Sequence, residues 1–223
     1  MLIAENLGKC YTDASGEIWP VRDLNLTISD GCFFSIVGRS GSGKTTLLKM
    51  LGGLLPPTTG SVTINQQPLY NLTERELALY RSRNIGFIFQ DYFLEHQYTG
   101  YQNIEIALMI AGIPAAEREK RIQEVLDTVG LSHKKTARTG NLSGGEKQRV
   151  CIARSIVTQP ELLFADEPCG NLDYKNGQSI MRLLRTQAEH GKTVVLVTHN
   201  LEDAHLTDEI ITLQDGKIIQ HET

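Results

Sequence analysis

The stretch GRSGSGKTT at residues 38–46 decides the fold class of this 223-residue chain. It matches the pattern G-x-x-x-x-G-K-[S/T], and it lies between the apolar run CFFSIVG (32–38) and the helix-like run TLLKMLGGLL (46–55). Glycines let the backbone curl there so that successive N–H groups point at phosphate oxygens, and the following helix start adds positive potential. We therefore predict a phosphate-binding loop made of Gly38, Arg39, Ser40, Gly41, Ser42, Gly43, Lys44, Thr45 and Thr46.

Side chains in and beyond this loop have the chemistry that nucleotide hydrolysis requires. Lys44 is expected to hold the β and γ phosphates of a nucleotide, and the Thr45 hydroxyl is expected to bind Mg²⁺. The run ELLFADEP (161–168) predicts a buried strand that brings Asp166 to the same Mg²⁺, directly or through water. The adjacent Glu167 is a candidate general base for the attacking water, and an acid at a helix start is the alternative.

Short apolar runs that alternate with helical patterns indicate an α/β core. Four runs have the length and composition of buried parallel strands: FFSIV (33–37), IGFIF (85–89), LLFA (162–165) and VVLVT (194–198). In open α/β sheets ligands bind beyond the carboxyl ends of the strands. The candidate groups that follow such ends are Lys44, Gln90, Asp166 and His199. Gln90 could bind Mg²⁺ through its amide oxygen and His199 could reach the γ phosphate, although a lone histidine is more often structural.

The segments around this core have different patterns. LNLTIS (24–29) and SVTIN (61–65) alternate apolar and polar residues, which predicts a small antiparallel β layer on the N-terminal side. Residues 92–158 are predicted to be mostly helical, for example over 117–129, where apolar residues recur at helical spacing before Gly130. The predicted fold is a RecA-like P-loop NTPase α/β core (1–91 and 159–223) with that β layer and an inserted helical subdomain (92–158).

Net charge, apolar runs and cysteine spacing argue against several classes of function. The formal charge is -4 and the pI is about 5.9, which argues against nucleic acid as a partner. No apolar run approaches the roughly 20 residues that cross a bilayer, and the N-terminus lacks a secretory signal pattern, so we expect a cytoplasmic protein. The four cysteines are far apart and form no CxxC pair, so we expect neither a metal site nor a disulfide framework built on them.

A second helix start carries an unexpected pair of glycines. In NLSGGEKQR (141–149), Ser143 with Glu146 three residues later predicts a capping box ahead of an apolar helix. A cap alone does not require Gly144 and Gly145, each of which costs about 0.5 to 1 kcal/mol against Ala inside a helix. The glycines suggest that something approaches this backbone closely, and the open N–H groups favour an anion.

In combination and order these motifs resemble those of the ATP-binding cassette (ABC) ATPases, over essentially the entire chain. The motifs that carry the resemblance are GRSGSGKTT, FQ (89–90), LSGGEKQR (142–149), LLFADEP (162–168), GNLD (170–173) and TH (198–199). The resemblance implies that Ser143, Gly144, Gly145 and Glu146 form the signature motif, which contacts the γ phosphate of ATP held by an opposing subunit. Two subunits, expected to be identical, would close head to tail around two ATP molecules, with Asp173 at their seam.

The resemblance also implies roles for single residues. Gln90 and Asp166 would serve Mg²⁺, Glu167 would be the base and His199 the switch histidine. Tyr11 matches the adenine-stacking aromatic, whereas the residue alone could equally be a core tyrosine.

Within the family the motifs are most similar to the bacterial group of lipoprotein-release, macrolide-export and cell-division ATPases. That similarity implies a transmembrane permease partner and a location on the inner face of the cell membrane. The chain departs from this group at two places. The first is Cys169, where the group usually has Thr and where a redox role is an alternative. The second is YFLEHQYTG (92–100), where relatives tend to have a Leu-Pro-rich stretch, and the resemblance implies that this segment meets the permease.

The motifs and the resemblance leave three hypotheses about function. An ATPase subunit that powers a separately encoded permease is the leading hypothesis. The alternative is a signalling module whose ATPase cycle controls an extracytoplasmic cell-wall hydrolase through an analogous membrane partner. A cassette ATPase that acts on nucleic acid or cluster assembly is a third possibility, although the chain lacks the long coiled coil or tandem cassette of such relatives.

Overall fold

A computed structural model describes residues 1–13 and 16–223 of the chain. The strands in this part are β1 (Leu2–Asp13), β2 (Gly16–Ile28), β3 (Phe33–Val37), β4 (Thr59–Ile64), β5 (Gln67–Pro68), β6 (Ile85–Phe89), β7 (Leu162–Asp166), β8 (Thr193–Thr198), β9 (Glu209–Gln214) and β10 (Lys217–Glu222). The helices are α1 (Lys44–Leu51), α2 (Glu74–Asn84), α3 (Gly100–Ile110), α4 (Ala115–Thr128), α5 (Gly144–Ile156), α6 (Tyr174–Glu189) and α7 (Leu201–Ala204).

The central sheet has the strand order β10-β9-β3-β8-β7-β6. Neighbouring strands from β9 to β6 are parallel, and β10 pairs antiparallel with β9. Every residue of β3 and β8 is buried, because helices cover both faces of a parallel sheet. The predicted α/β core with four buried parallel strands is therefore confirmed, and the carboxyl ends of these strands meet at one edge.

The N-terminal β layer is a separate antiparallel sheet with the order β2-β1-β4-β5. Its apolar residues alternate with exposed ones along β2, as the sequence pattern predicted. The buried side chains Leu24, Leu26 and Ile28 join one apolar cluster with Leu47 and Leu51 of α1. The layer thus packs on the helix that follows the glycine loop and fixes that helix against the central sheet.

Residues 100–156 contain α3, α4 and α5 with two short 3-10 turns, Ser132–Lys134 and Thr139–Asn141. In α4 the buried residues are Ile122 and Leu126, and the chain leaves the helix through Gly130, which has φ of 70°. Helix α5 shares its apolar cluster both with α3 and α4 and with β7 and β8. Helix α5 therefore packs both within the helical segment and on the central sheet. The predicted division into an α/β core (1–91 and 159–223) and a helical subdomain (92–158) stays a prediction.

The first helix is shorter than its apolar pattern indicated. Helix α1 ends at Leu51, whereas the run TLLKMLGGLL extended the prediction to residue 55. Gly52 lies so close to β6 that a Cβ there would be 2.5 Å from the ring of Phe87. The glycines that end the helix therefore allow the chain to pass over an aromatic side chain of the core.

Within the described residues, no helix has both the length and the hydropathy that a membrane span requires.

Asn103 is a buried amide that helps to hold the segment between β6 and α3, together with Thr139 and Arg154. Its Oδ1 accepts from the Glu95 N–H (2.8 Å), and its Nδ2 donates to the carbonyls of Glu95 (3.1 Å) and Thr99 (3.0 Å). Asn103→Ala should lower the free energy of unfolding by about 1 to 3 kcal/mol, because the Glu95 N–H loses its hydrogen-bond partner. Urea denaturation measures this loss. Asn84→Ala, which removes a single hydrogen bond to the Tyr80 carbonyl, is the control, and equal losses would contradict the prediction.

Candidate functional site

A cavity of about 710 Å³ lies at the carboxyl edge of the central sheet. The residues that line it are Pro20, Ser40, Gly41, Gly43, Lys44, Thr45, Thr46, Gln90, Glu167 and His199. Residues as far apart in the sequence as Pro20 and His199 therefore meet in one place. Gln90, Glu167 and His199 do so because parallel strands deliver their carboxyl ends to the same edge. Pro20, which belongs to β2, was not among the predicted site residues.

The glycine loop has a conformation that requires glycine at position 43. Gly43 has φ of 102°, and a Cβ there would lie 1.9 Å from the Pro20 carbonyl oxygen. Gly43 is also the N-cap of α1, so no side chain occupies the helix N-terminus where it faces the cavity. The buried Lys44 ammonium donates to the carbonyls of Gly38 (2.7 Å) and Arg39 (3.0 Å), which holds its charge over the loop.

Asp166 and Thr45 form the oxygen-rich part of the site. The Thr45 hydroxyl donates to Asp166 Oδ1 at 3.2 Å. Burial, with the nearby Glu167 carboxylate, raises the pKa of Asp166 above its ordinary value. A partly buried carboxylate next to a hydroxyl is a donor set that suits Mg²⁺, since a cation relieves the cost of burying the negative charge.

Glu167 and His199 form the pair that faces the cavity from β7 and β8. The two side chains meet with His199 Nδ1 at 2.9 Å from Glu167 Oε2. Glu167 has φ of 48°, a left-handed conformation, and its N–H donates to the Val197 carbonyl at 2.9 Å. Strained backbone of this kind is typical of functional sites. The turn points the Glu167 carboxylate into the cavity instead of along the strand.

Gln90 reaches the cavity from the end of β6, and Asn171 fixes it there. Gln90 Nε2 donates to Asn171 Oδ1 (3.3 Å), and Asn171 Nδ2 donates to the Gln90 carbonyl (3.2 Å). The sequence identified GNLD as a motif but gave no reason to single out Asn171, because the pairing joins residues 81 positions apart.

Tyr11 lies outside this cavity lining. Its side chain is 46% exposed in β1, so the alternative of a core tyrosine is wrong. The Lys9 ammonium lies 5.5 Å from its ring centroid. An exposed aromatic face on the β layer stays compatible with stacking on a base.

The capping box at the start of α5 is confirmed. Ser143 Oγ accepts from the Glu146 N–H (3.4 Å), and Glu146 Oε2 accepts from the Ser143 N–H (2.9 Å). Side chains of the same chain already lie close to the two glycines. A Cβ on Gly145 would lie 2.5 Å from Asn176 Oδ1, and one on Gly144 would lie 3.0 Å from the Tyr92 hydroxyl. Residues 143–146 do not line the cavity, so one chain does not bring its two predicted phosphate sites together.

Cys169 packs against α6, where its thiol donates to the Gly177 carbonyl at 3.5 Å. Burial raises the pKa of Cys169 to about 12, and the Asp203 and Glu167 carboxylates add to this effect. Since the thiolate is the reactive form, the structure gives the redox alternative no support.

The raised pKa of Cys169 leads to a measurable pH dependence. Below about pH 12 the thiol is mostly protonated, so its alkylation rate should rise about tenfold for each pH unit from 8 to 10. Timed iodoacetamide labelling with peptide mass spectrometry measures the rate, and circular dichroism checks that the fold persists. A small free thiol, with a pKa of about 8.5, should approach its plateau over the same range. A plateau for Cys169 near pH 9 would contradict the prediction.

Comparisons with known proteins agree on one family. A family model described as "ABC transporter" matches residues 21–170, which is more than half of the chain. The lipoprotein-releasing system ATP-binding protein LolD 1 of Rhodopirellula baltica is 45% identical over 221 residues, covering 99% of this chain and 96% of that protein. The macrolide export ATP-binding/permease protein MacB of Bartonella henselae is 39% identical over 98% of this chain, which spans 33% of that longer protein.

Solved structures give the same result. The dimeric structure of MJ0796, described as a bacterial ABC transporter cassette, superposes with a TM-score of 0.93 at 38% identity, covering 100% of this chain and 98% of that one. A second dimeric structure of MJ0796, in a post-hydrolysis state bound to ADP and Pi, has a TM-score of 0.92 with the same coverage.

Proposed function

Because the chain belongs to the ABC transporter family of ATPases, we propose that it is the ATP-hydrolysing subunit that powers a separately encoded membrane permease. One observation carries the proposal: Lys44, Thr45, Gln90, Glu167 and His199 line one cavity at the carboxyl edge of the parallel sheet. A phosphate-binding loop and a positioned carboxylate are the groups that phosphoryl transfer to water requires.

Each group has a role that its geometry supports. The loop N–H groups and the Lys44 ammonium bind the ATP phosphates and stabilise their charge, which is the main source of catalysis in phosphoryl transfer. Glu167 accepts a proton from the attacking water, while the 2.9 Å contact with His199 Nδ1 keeps its carboxylate oriented. Thr45, Asp166 and Gln90 would hold Mg²⁺, which neutralises phosphate charge when bound. Tyr11 stacks on the adenine from the β layer.

Two copies of the chain form the active unit in this proposal. Residues 143–146 of one copy, which lie outside the cavity of their own chain, contact the γ phosphate held by the other copy. The dimeric MJ0796 structures support this arrangement, since they match the whole chain. The dimer works on the inner face of the cell membrane, where its permease lies.

Affinity purification from membranes, followed by reconstitution of the recovered complex in vesicles, tests the proposal. We expect a transmembrane protein to copurify and ATP turnover to move a substrate across the vesicle membrane. ATP turnover without any moved substrate would favour the signalling alternative, which the names of the relatives do not favour. Recovery of no membrane protein would contradict the proposal.

A further inference from the structure

Glu146 raises an electrostatic problem at the start of α5. In the proposed function this helix N-terminus receives a phosphate from the partner chain, yet it carries a carboxylate in its own first turn. A carboxylate stabilises a helix N-terminus, but it also repels a second anion that approaches the same N–H groups. An ionised Glu146 without a counter-charge would therefore weaken the contact that the proposed dimer requires.

Lys134 supplies that counter-charge from the 3-10 turn Ser132–Lys134. Its ammonium lies 2.6 Å from Glu146 Oε1, while Glu146 Oε2 accepts from the Ser143 N–H at 2.9 Å. Both side chains are partly shielded, at 37% and 23% exposed. The hydrogen bond from Lys134 is the largest cause that lowers the pKa of Glu146 to about 2. The two carboxylate oxygens thus have separate partners, and the ion pair is formally neutral.

We propose that Lys134 is a positioning residue for ATP hydrolysis, which cancels the charge of Glu146 and keeps its carboxylate on the Ser143 N–H. With that charge cancelled, the first turn of α5 accepts the phosphate of the partner chain. The inference rests on the proposed function, because it assumes that this turn meets a nucleotide. It concerns residue 134, which lies outside the LSGGE motif.

The chain offers a matched control in the next residue. Lys135 also pairs with a glutamate, Glu119 of α4, and its ammonium lies 5.1 Å from the Tyr101 ring centroid. Lys134 and Lys135 therefore have the same charge, neighbouring positions and one carboxylate partner each. Only the partner of Lys134 lies at the start of α5.

The first experiment compares Lys134→Gln with Lys135→Gln in the full chain. For Lys134→Gln we expect kcat for ATP to fall about fivefold, a size typical of a partly exposed ion pair, while the Kd of the single chain for a fluorescent ATP analogue stays unchanged. Lys135→Gln should stay within about twofold of the wild type, and Lys134→Arg should recover most of the loss. Melting temperatures of the two glutamine variants check that both fold.

The second experiment removes the charge that Lys134 is proposed to cancel. In Glu146→Gln the amide oxygen can still accept from the Ser143 N–H, but no carboxylate faces the incoming phosphate. Lys134→Gln should therefore change kcat by less than about 1.5-fold in the Glu146→Gln background. An equal fivefold loss in both backgrounds, or equal losses in the Lys134→Gln and Lys135→Gln variants, would overturn the inference alone. A wild-type chain that hydrolyses no ATP would overturn the proposed function and this inference with it.

Discussion

Glutamine at position 167 is expected to stop ATP turnover while ATP binding stays intact. Glu167→Gln preserves the size of the side chain but removes the carboxylate that we propose as the general base, so kcat should fall about 100- to 10,000-fold. Binding should persist because the loop and Lys44 do not contact residue 167 in the described hydrogen bonds. The left-handed backbone at φ of 48° is equally available to glutamine and glutamate, so the substitution adds no new strain.

Steady-state hydrolysis, nucleotide binding and size-exclusion chromatography together measure the effect of Glu167→Gln. Since ATP remains bound and uncleaved, a dimer that contains ATP should accumulate. Glu124→Gln makes the same chemical change on the exposed face of α4, where the partner is Lys120 at 3.9 Å, and should hydrolyse ATP normally. If the Glu167→Gln variant hydrolysed ATP at the native rate, the assignment of the general base would be wrong.

The parts of the fold that could be predicted are those set by local pattern. Apolar runs of four or five residues identified the buried strands, and the topology rule for parallel sheets then placed Gln90, Asp166 and His199 at one edge. Capping chemistry at Ser143 was predictable for the same reason, because all of its partners lie within three residues. Local periodicity could not show that α5 packs on both the helical segment and the sheet.

Contacts between distant residues account for what the sequence did not predict. The Pro20 carbonyl that requires glycine at position 43 comes from β2, in the other sheet. Asn171 and Lys134 are a surface amide and a surface lysine, and only the folded chain shows that they hold Gln90 and Glu146. The pair Gly144 and Gly145 could be interpreted only in part from the sequence. Its presence indicated a close approach, but the pattern could not separate an approach by Asn176 from one by a partner chain.

Gly144→Leu is expected to abolish hydrolysis while the single chain still binds ATP. Gly144 suits this test better than Gly145, where a side chain would collide with Asn176 of its own chain at 2.5 Å. A Cβ on Gly144 meets the end of the Tyr92 side chain at 3.0 Å and Leu172 at an ordinary 3.5 Å. In the proposed dimer the added bulk covers N–H groups that would receive the partner phosphate, and loss of one such donor typically costs 100- to 1,000-fold in kcat.

Two controls separate a lost phosphate contact from a damaged helix start. Gly100→Ala changes the glycine at the same position of α3, behind the capping box of Thr99 and Gln102, and should keep its activity where Gly144→Ala loses part of it. Tyr92→Phe removes the hydroxyl that the new Cβ meets, so it should not rescue Gly144→Leu if the loss arises between two chains. Rescue by Tyr92→Phe, or equal loss of ATP binding and hydrolysis, would instead show that Gly144 serves only its own chain. In the proposed dimer the phosphate near Gly144 belongs to the other copy. Mixing Gly144→Leu chains with Glu167→Gln chains should therefore restore one of the two sites of the mixed dimer. That site combines the native Glu167 of the Gly144→Leu chain with the native Gly144 of the Glu167→Gln chain.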